Sequence, residues 1–143
     1  MKKLLLMSAC AVLFCFSVNA QKMNAAKVPA VVKASFAKQF PTAADVKWEK
    51  EGNTYEVALK YNGQNITVSL DGKGTIVETE FGIKSIDLPA PVLKYVSDNF
   101  KGKPILSADK ITAGSKITYE VVVQKGKALM FDEKGKYIKK END

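Results

Sequence analysis

Two stretches of the chain place an apolar residue at every fourth position. The first stretch has Val28, Val32, Phe36 and Phe40 at these positions, and the second has Leu88, Val92, Val96 and Phe100. This spacing puts the side chains on one side of a helix, so each stretch predicts an amphipathic helix with one face against a core. Prolines near the ends of both stretches fit helix boundaries.

Behind each predicted helix the pattern changes to an alternation of apolar and polar residues, which is typical of strands with one buried face. Val57, for example, faces one way, whereas Glu56 and Lys60 face the other, and Asn62-Gly63 then provides a tight hairpin turn. The predicted strands cover residues 46–51, 55–61, 65–70 and 75–80 after the first helix, and residues 106–112, 116–124, 127–131 and 136–140 after the second.

The second half of the chain repeats the first half at a spacing of 60 to 64 residues. The clearest sign is Thr54-Tyr55-Glu56-Val57, which returns as Thr118-Tyr119-Glu120-Val121. A repeat of this length is a supersecondary unit packed against its copy. We therefore predict an α+β fold in which one helix followed by four antiparallel strands occurs twice, in residues 28–82 and 83–143. The two units would join their sheets side by side, with both helices on one face, as one compact domain.

The first twenty residues have the features of a signal peptide. Lys2-Lys3 precede an apolar run from Leu4 to Phe16 that is too short to span a bilayer, and Val18-Asn19-Ala20 supplies small residues for cleavage. An alternative is a lipoprotein that is lipid-anchored through Cys10. In either case the protein is exported, periplasmic or secreted, and residues 21–27 are expected to be a short, polar, mobile lead-in.

The composition excludes several classes of chemistry. The chain has no histidine and no arginine, and its two cysteines, Cys10 and Cys15, both lie in the predicted signal peptide. Serine or cysteine nucleophiles activated by histidine, and zinc sites built from cysteine and histidine, are therefore excluded from the mature chain. Glu56 and Glu120 occupy matching polar positions, but the sequence shows neither a pocket nor a partner for acid–base work. We expect no catalysis, no cofactor and no metal.

Charge is spread unevenly along the chain. The net charge is +7, of which two lysines of the predicted signal peptide account for +2. Residues 28–82 carry six lysines and seven acidic residues, whereas residues 83–143 carry twelve lysines and eight acidic residues. This asymmetry allows a weak attraction of the second half to an acidic partner or a membrane surface, but an ordinary solvated lysine-rich surface is the preferred explanation. Nucleic acid is not expected as a partner, since the chain is exported and lacks arginine.

Asp71-x-x-Gly74 and its repeat equivalent Asp132-x-x-Gly135 could suggest calcium loops. Both lack the alternating oxygen ligands and the terminal glutamate of such loops. We interpret them as hairpin turns in which aspartate bonds to the backbone and glycine accepts a positive φ.

The outward face of the second sheet is more apolar than that of the first. The alternation puts Val122 and Met130 outward near Glu120, whereas the corresponding strands of the first repeat have Glu56, Ala58, Lys60, Asn65, Thr67 and Ser69 outward. Outward apolar residues ringed by lysine indicate a modest contact patch, unless dimerisation or ordinary surface variation explains them. The candidate partner-binding face therefore comprises Glu56, Lys60, Glu120, Val122 and Met130.

Several short motifs resemble those of the PepSY-like proteins that are described as beta-lactamase-inhibitor-like. These are Phe36-x-x-x-Phe40-Pro41, Ala44-Asp45-Val46-x-Trp48, Tyr55-Glu56-Val57, Asp71-x-x-Gly74 and Ile76-Val77-Glu78. The resemblance covers nearly all of residues 28–140 and is weaker in the second copy, where Thr112 replaces the tryptophan. It implies the fold of beta-lactamase inhibitor protein, in which tandem units form one curved antiparallel sheet whose open face grips a partner. It also implies protein or peptide binding outside the cytoplasm.

Two functional hypotheses follow. In the first, the protein is a non-catalytic, possibly inhibitory, binding module that engages a protein or peptide of the cell envelope through the open face of its sheet. In the second, it is a carrier or sensor of a small ligand, with a cavity between helices and sheet. That cavity would be lined by Phe36, Tyr55, Phe100 and Tyr119.

Overall fold

The computed structural model of the protein describes residues 21–125 and 127–142, with nine strands and two α-helices among them. The predicted signal peptide lies outside the described residues. The helices are α1 (Ala30–Gln39) and α2 (Ala90–Asn99), each preceded by a 3-10 turn. The strands are β1 (Gln21–Met23), β2 (Ala44–Glu51), β3 (Thr54–Tyr61), β4 (Gln64–Leu70), β5 (Ile76–Gly82), β6 (Ser107–Ala113), β7 (Lys116–Gln124), β8 (Lys127–Asp132) and β9 (Tyr137–Asn142).

The strands form one antiparallel sheet in which their spatial order is the order of the chain. The two halves meet where β5 pairs with β6, from Thr79 opposite Thr112 to Gly82 opposite Asp109. Phe81 packs against the core under α1 and is paired with Lys110, which in turn is paired with Tyr119 in the core under α2. Since residues directly opposite each other share a face, both helices cover the same face of the sheet. The predicted tandem α+β architecture is confirmed.

Each helix covers its own hydrophobic core. In the first core Val32 of α1 packs with Val57 and Val68, and all three are fully buried. In the second core Val92 of α2 packs with Val121 and Phe131, which are also fully buried. The apolar residues at every fourth position in the sequence therefore mark the buried sides of both helices. Residues 21–142 contain no cysteine. Burial of these apolar side chains, at about 25 cal/mol per Å², is therefore the main stabilising contribution expected for this part of the chain.

Two features near the N-terminus differ from the sequence prediction. Residues 21–27, expected to be a mobile lead-in, contain β1, which pairs with the edge of β2, and then a 3-10 turn capped by Asn24. β1 is held to β2 by backbone hydrogen bonds, which any residue except proline can form. The sequence Gln-Lys-Met therefore needs no alternation of apolar and polar residues to form this strand, and it shows none. The second feature is an irregular register in β2, where Asp45 has a φ of 55°. This bulge leaves Val46 exposed while Trp48 is buried against Phe36.

The two aspartate–glycine motifs form the turns that we predicted. The Asp71 carboxylate accepts hydrogen bonds from the backbone N–H groups of Lys73 and Thr75, at 2.9 and 2.8 Å. Gly74 follows with a φ of 84°, and a side chain at this position would come within 2.9 Å of Ser35 Cβ in α1. Asp132 makes the corresponding bonds in the second repeat. The carboxylates thus serve the turns.

Candidate functional site

The face of the sheet opposite the two helices, here called the open face, carries the candidate site. Cross-strand pairing assigns seven carboxylates to this face, and together we call them the acidic stripe. The acidic stripe consists of Glu49 and Glu51 of β2, Glu56 of β3, Glu78 and Glu80 of β5, Asp109 of β6 and Glu120 of β7. It crosses the junction between the two repeats, so neither repeat alone contains it.

Some of these carboxylates lie directly opposite each other in neighbouring strands. Glu49 is paired with Glu56 at one end of the stripe, and Asp109 is paired with Glu120 at the other. Like charges in such positions destabilise a sheet because the side chains are about 5 Å apart at Cβ. The fold keeps two such pairs, and Glu78 and Glu80 lie on the strand between them.

Burial and mutual repulsion raise the proton affinity of the stripe. Burial raises the pKa of Glu80 to about 7, with further contributions from the carboxylates of Asp109, Glu120, Glu78 and Glu56. Burial likewise raises the pKa of Glu56 to about 7, and Glu51, which shares a hydrogen bond with it, adds to the effect. Burial also raises the pKa of Glu78 and of Asp109 above their usual values. Part of the stripe is therefore protonated near neutral pH.

Two buried side chains of the open face lie next to Glu80 and contribute to its burial. Ile111 of β6 lies directly opposite Glu80, and Thr118 of β7 lies directly opposite Ile111. Ile111 is only 6% exposed and Thr118 only 9%, although no helix covers this side of the sheet. These buried side chains exclude water from one side of Glu80. Removing water from a carboxylate disfavours its charged form.

The residues predicted from the sequence all have backbone positions on the open face. Glu120 lies directly opposite Met130, and Val122 lies opposite Ala128, so the predicted apolar patch borders the acidic stripe. Glu56 and Lys60 lie on β3, four strands away from Glu120, which corresponds to about 19 Å at the usual spacing. The five residues therefore do not form one cluster. They mark the two ends of a long surface, and their role in partner binding stays a prediction.

A groove of about 650 Å³ lies on the open face between β2 and β6. On one side it is lined by Lys47 of β2 and Lys60 of β3, with Asp45 of β2 on the same side, and on the other by Glu80 of β5 and Asp109 of β6. We call it the dipolar groove, because both of its lysines lie on one wall and the opposite wall carries only carboxylates. Its floor consists of small or uncharged residues, including Ala58, Asn65, Thr67 and Gly82.

The four aromatic residues proposed to line a ligand cavity are divided between two cores. Phe36 and Tyr55 belong to the core under α1, where Phe36 is 7% exposed and its ring contacts those of Phe40 and Trp48. Phe100 and Tyr119 pack against the core under α2. The structure therefore does not bring these four side chains around one cavity.

Within the described part of the chain, no group of three or more acidic side chains is arranged to hold a metal ion. Neither α1 nor α2, the α-helices of residues 21–125 and 127–142, is long and apolar enough to cross a membrane. The acidic stripe is a row of carboxylates that runs across the sheet from β2 to β7.

Most of the acidic stripe is not predicted from the sequence. Glu56 and Glu120 are predicted site residues, but Glu78, Glu80 and Asp109 are not, because the faces of β5 and β6 depend on how these two strands pair. The alternation of β5, with Glu78 and Glu80 two residues apart, was the available signal. Only the register across the junction shows that these residues lie beside Asp109 on one surface.

Comparison with known proteins agrees with this architecture. A periplasmic protein of Bacteroides eggerthii, described as "putative", has a similar structure, with a TM-score of 0.70 and 18% sequence identity, over 80% of this chain and 88% of that one. A BLIP-like protein of Bacteroides fragilis has a TM-score of 0.64 and 22% identity, over 80% of this chain and 85% of that one. These similarities show a shared fold. No curated protein sequence matches the chain significantly.

The family comparison also finds the repeat. The model of the family described as "Putative beta-lactamase-inhibitor-like, PepSY-like" matches the chain twice, over residues 16–78 and 61–139. Each match contains one helix and most of the strands that follow it, and the two matches overlap in residues 61–78. Together the two matches cover most of the 143 residues, and the chain therefore belongs to the PepSY-like, beta-lactamase-inhibitor-like family.

Proposed function

We propose that this protein is an exported, non-catalytic binding module that holds a protein or peptide of the cell envelope on the open face of its sheet. The observation that supports this most directly is the acidic stripe, which the two helices leave uncovered. Its opposed pair of Glu49 and Glu56 costs stability in the free protein. A bound partner that neutralises these carboxylates would remove the repulsion, and such a partner best explains why the surface carries them.

The electrostatics specify which partner chemistry would do so. Lysine or arginine side chains of a partner, placed near Glu80 and Glu56, would favour the charged carboxylates and lower their raised pKa values. The sequence suggested an acidic partner for the lysine-rich second half. On the open face, however, carboxylates of both halves come together, so we propose a cationic partner for this surface.

The apolar end of the face would add contact area. Val122 and Met130 are half-buried, border Glu120 and face the same way as the stripe. A binding surface with an apolar part beside a charged part gives both affinity and orientation. The proposed location outside the cytoplasm rests on the predicted signal peptide and is supported by the periplasmic description of the Bacteroides eggerthii relative.

The proposal can be tested by affinity capture from periplasmic extract of the source organism. The wild-type protein is compared with Val122→Lys/Met130→Lys and with Glu56→Lys/Glu80→Lys, which alter the apolar and acidic parts of the face. Ala34→Lys/Ala37→Lys, on the exposed side of α1, adds two lysines elsewhere and is the matched control for Val122→Lys/Met130→Lys. We expect the same partner with wild type and control, and a loss of at least about tenfold with both open-face variants. Equal recovery with all four proteins would contradict the proposal.

A further inference from the structure

The pairing registers of the strands show how the charged residues of the dipolar groove are arranged. Along one row of paired residues, Lys47 is followed by Ala58, then Thr67, then Glu80. Two residues further along the strands, Lys60 is paired with Asn65 and Gly82 is paired with Asp109, and all four line the same groove. A lysine therefore begins each row, an acidic residue ends it, and two uncharged residues separate the charges.

The two walls are too far apart to neutralise each other. Lys47 and Glu80 are separated by three strand spacings, or about 14 Å at the backbone, and so are Lys60 and Asp109. Among the described residues, neither Lys47 nor Lys60 forms an ion pair. The charged groups that act on Glu80 are all carboxylates, from Asp109, Glu120, Glu78 and Glu56. Both walls of the groove are therefore available to a ligand.

The floor of the groove leaves room for a backbone. Gly82 lines the groove, and a Cβ added there would meet Asp109 Oδ1 at 3.7 Å and the Asn65 carbonyl oxygen at 4.0 Å, both ordinary contacts. Ala58 on the neighbouring row is exposed. A polypeptide lying across Ala58 and Gly82 would thus reach the sheet without displacing a large side chain.

We propose that the dipolar groove binds an extended peptide segment that carries a cationic side chain and, three residues away, an anionic one. The cation faces Glu80 and Asp109, and the anion faces Lys47 and Lys60. Three residues of extended chain span about 10 Å, and the side chains at both ends supply the remaining reach across the groove. This inference rests on the proposed function and adds that the partner segment is of mixed charge and binds in one orientation.

Three blocked peptides test the charge requirement. The first probe is acetyl-Gly-Lys-Ser-Ser-Glu-Gly-amide, with the charges three residues apart. The second, acetyl-Gly-Ser-Lys-Glu-Ser-Gly-amide, has the same composition with adjacent charges, and the third replaces the glutamate of the first with lysine. Binding is measured by NMR titration of the backbone amides of Lys60, Gly82 and Asp109. We expect the first probe to bind at least about fivefold more tightly than either of the others.

Protein variants then test the groove itself. Lys60→Glu removes a cation from one wall and should shift the preference to the lysine-only probe by at least about fivefold. Gly82→Ile fills the floor without a change of charge and should weaken all three probes together. Lys38→Glu, on the exposed side of α1, makes the same charge change elsewhere and should leave the preference unaltered. Circular dichroism confirms that each variant is folded.

The outcomes separate this inference from the proposed function. Equal binding of the three probes, no binding of any of them, or an unchanged preference in Lys60→Glu would overturn the inference. The proposed function would then still stand if affinity capture depends on Val122 and Met130. If capture does not depend on the open face while the probes show the expected preference, the groove binds peptides but the wider surface proposal is wrong.

Discussion

The raised pKa of Glu80 leads to a quantitative prediction about stability and pH. Its pKa stands at about 7 in the folded chain against an ordinary value of 4.5. Between these two values the folded chain retains a proton that the unfolded chain has released. Stability must therefore fall as the pH rises through this window, with the loss complete above about pH 7.

The size of the effect follows from the same two values. A tenfold difference in proton affinity corresponds to about 1.4 kcal/mol, so the full difference would correspond to about 3 kcal/mol. Glu80 is only half-buried, and solvent screening reduces this figure, so we expect Glu80 to contribute about 1–2 kcal/mol. Glu80→Gln, which resembles the protonated carboxyl in shape, should stabilise the protein by this amount at about pH 8 and have little effect at about pH 5.

The assay uses the single tryptophan of the chain. Trp48 is 7% exposed and contacts Phe36 with ring centroids 5.2 Å apart, so its fluorescence reports unfolding of the first core. Urea unfolding is followed by this signal and by circular dichroism at both pH values. Glu133→Gln, in the exposed turn after β8, is the matched control for the loss of one carboxylate. The reasoning is refuted if wild-type stability does not fall between pH 5 and pH 8, or if both variants change it equally.

Three further predictions concern the scaffold and the probe. Gly74→Ala should destabilise the protein by about 2–4 kcal/mol, since its φ is 84° and its Cβ would lie 2.9 Å from Ser35 Cβ. Gly72→Ala, with no atom within 4 Å of its Cβ, should change the urea midpoint little, and equal effects of the two substitutions would contradict this account. Phe131→Ala should cost about 3–5 kcal/mol in the same assay, because Phe131 is fully buried, and a loss below about 1 kcal/mol would show that the second core does not depend on it. Probe binding at Glu80 should strengthen from about pH 5 to about pH 8 in NMR titrations, as the carboxylate becomes charged, and a pH-independent affinity would exclude it from the contact.

The architecture followed from local patterns in the sequence. Stripes such as Val28, Val32 and Phe36 define the buried side of a helix without any knowledge of its neighbours. Alternation around Val57 fixed which side of β3 faces the core. Asp71 and Gly74 act within a single turn, so their roles were also readable from sequence. Each of these features depends on residues close together along the chain.

The site was less accessible because it depends on registers between strands. Glu80 and Asp109 are 29 positions apart in the sequence and become neighbours only because β5 pairs with β6. The bulge at Asp45 is a second example, since Val46 and Trp48 share a parity in the sequence but differ in burial. The alternation within a strand shows which of its residues share a face. It does not show where a bulge shifts later residues to the other face, or which residues of the next repeat lie opposite.

The order of the strands has a consequence for how the chain folds. Because every strand pairs with its neighbours in sequence, most contacts close short loops, such as the turn at Asn62 and Gly63. Low contact order of this kind predicts rapid folding for an antiparallel sheet. The pairing of β5 with β6 is an exception, because it must wait until the chain between Gly82 and Ser107, including α2, has been placed. That step brings Asp109 and Glu120 of the second repeat next to the five carboxylates of the first, so the repulsion between these two groups is added only when β5 and β6 pair.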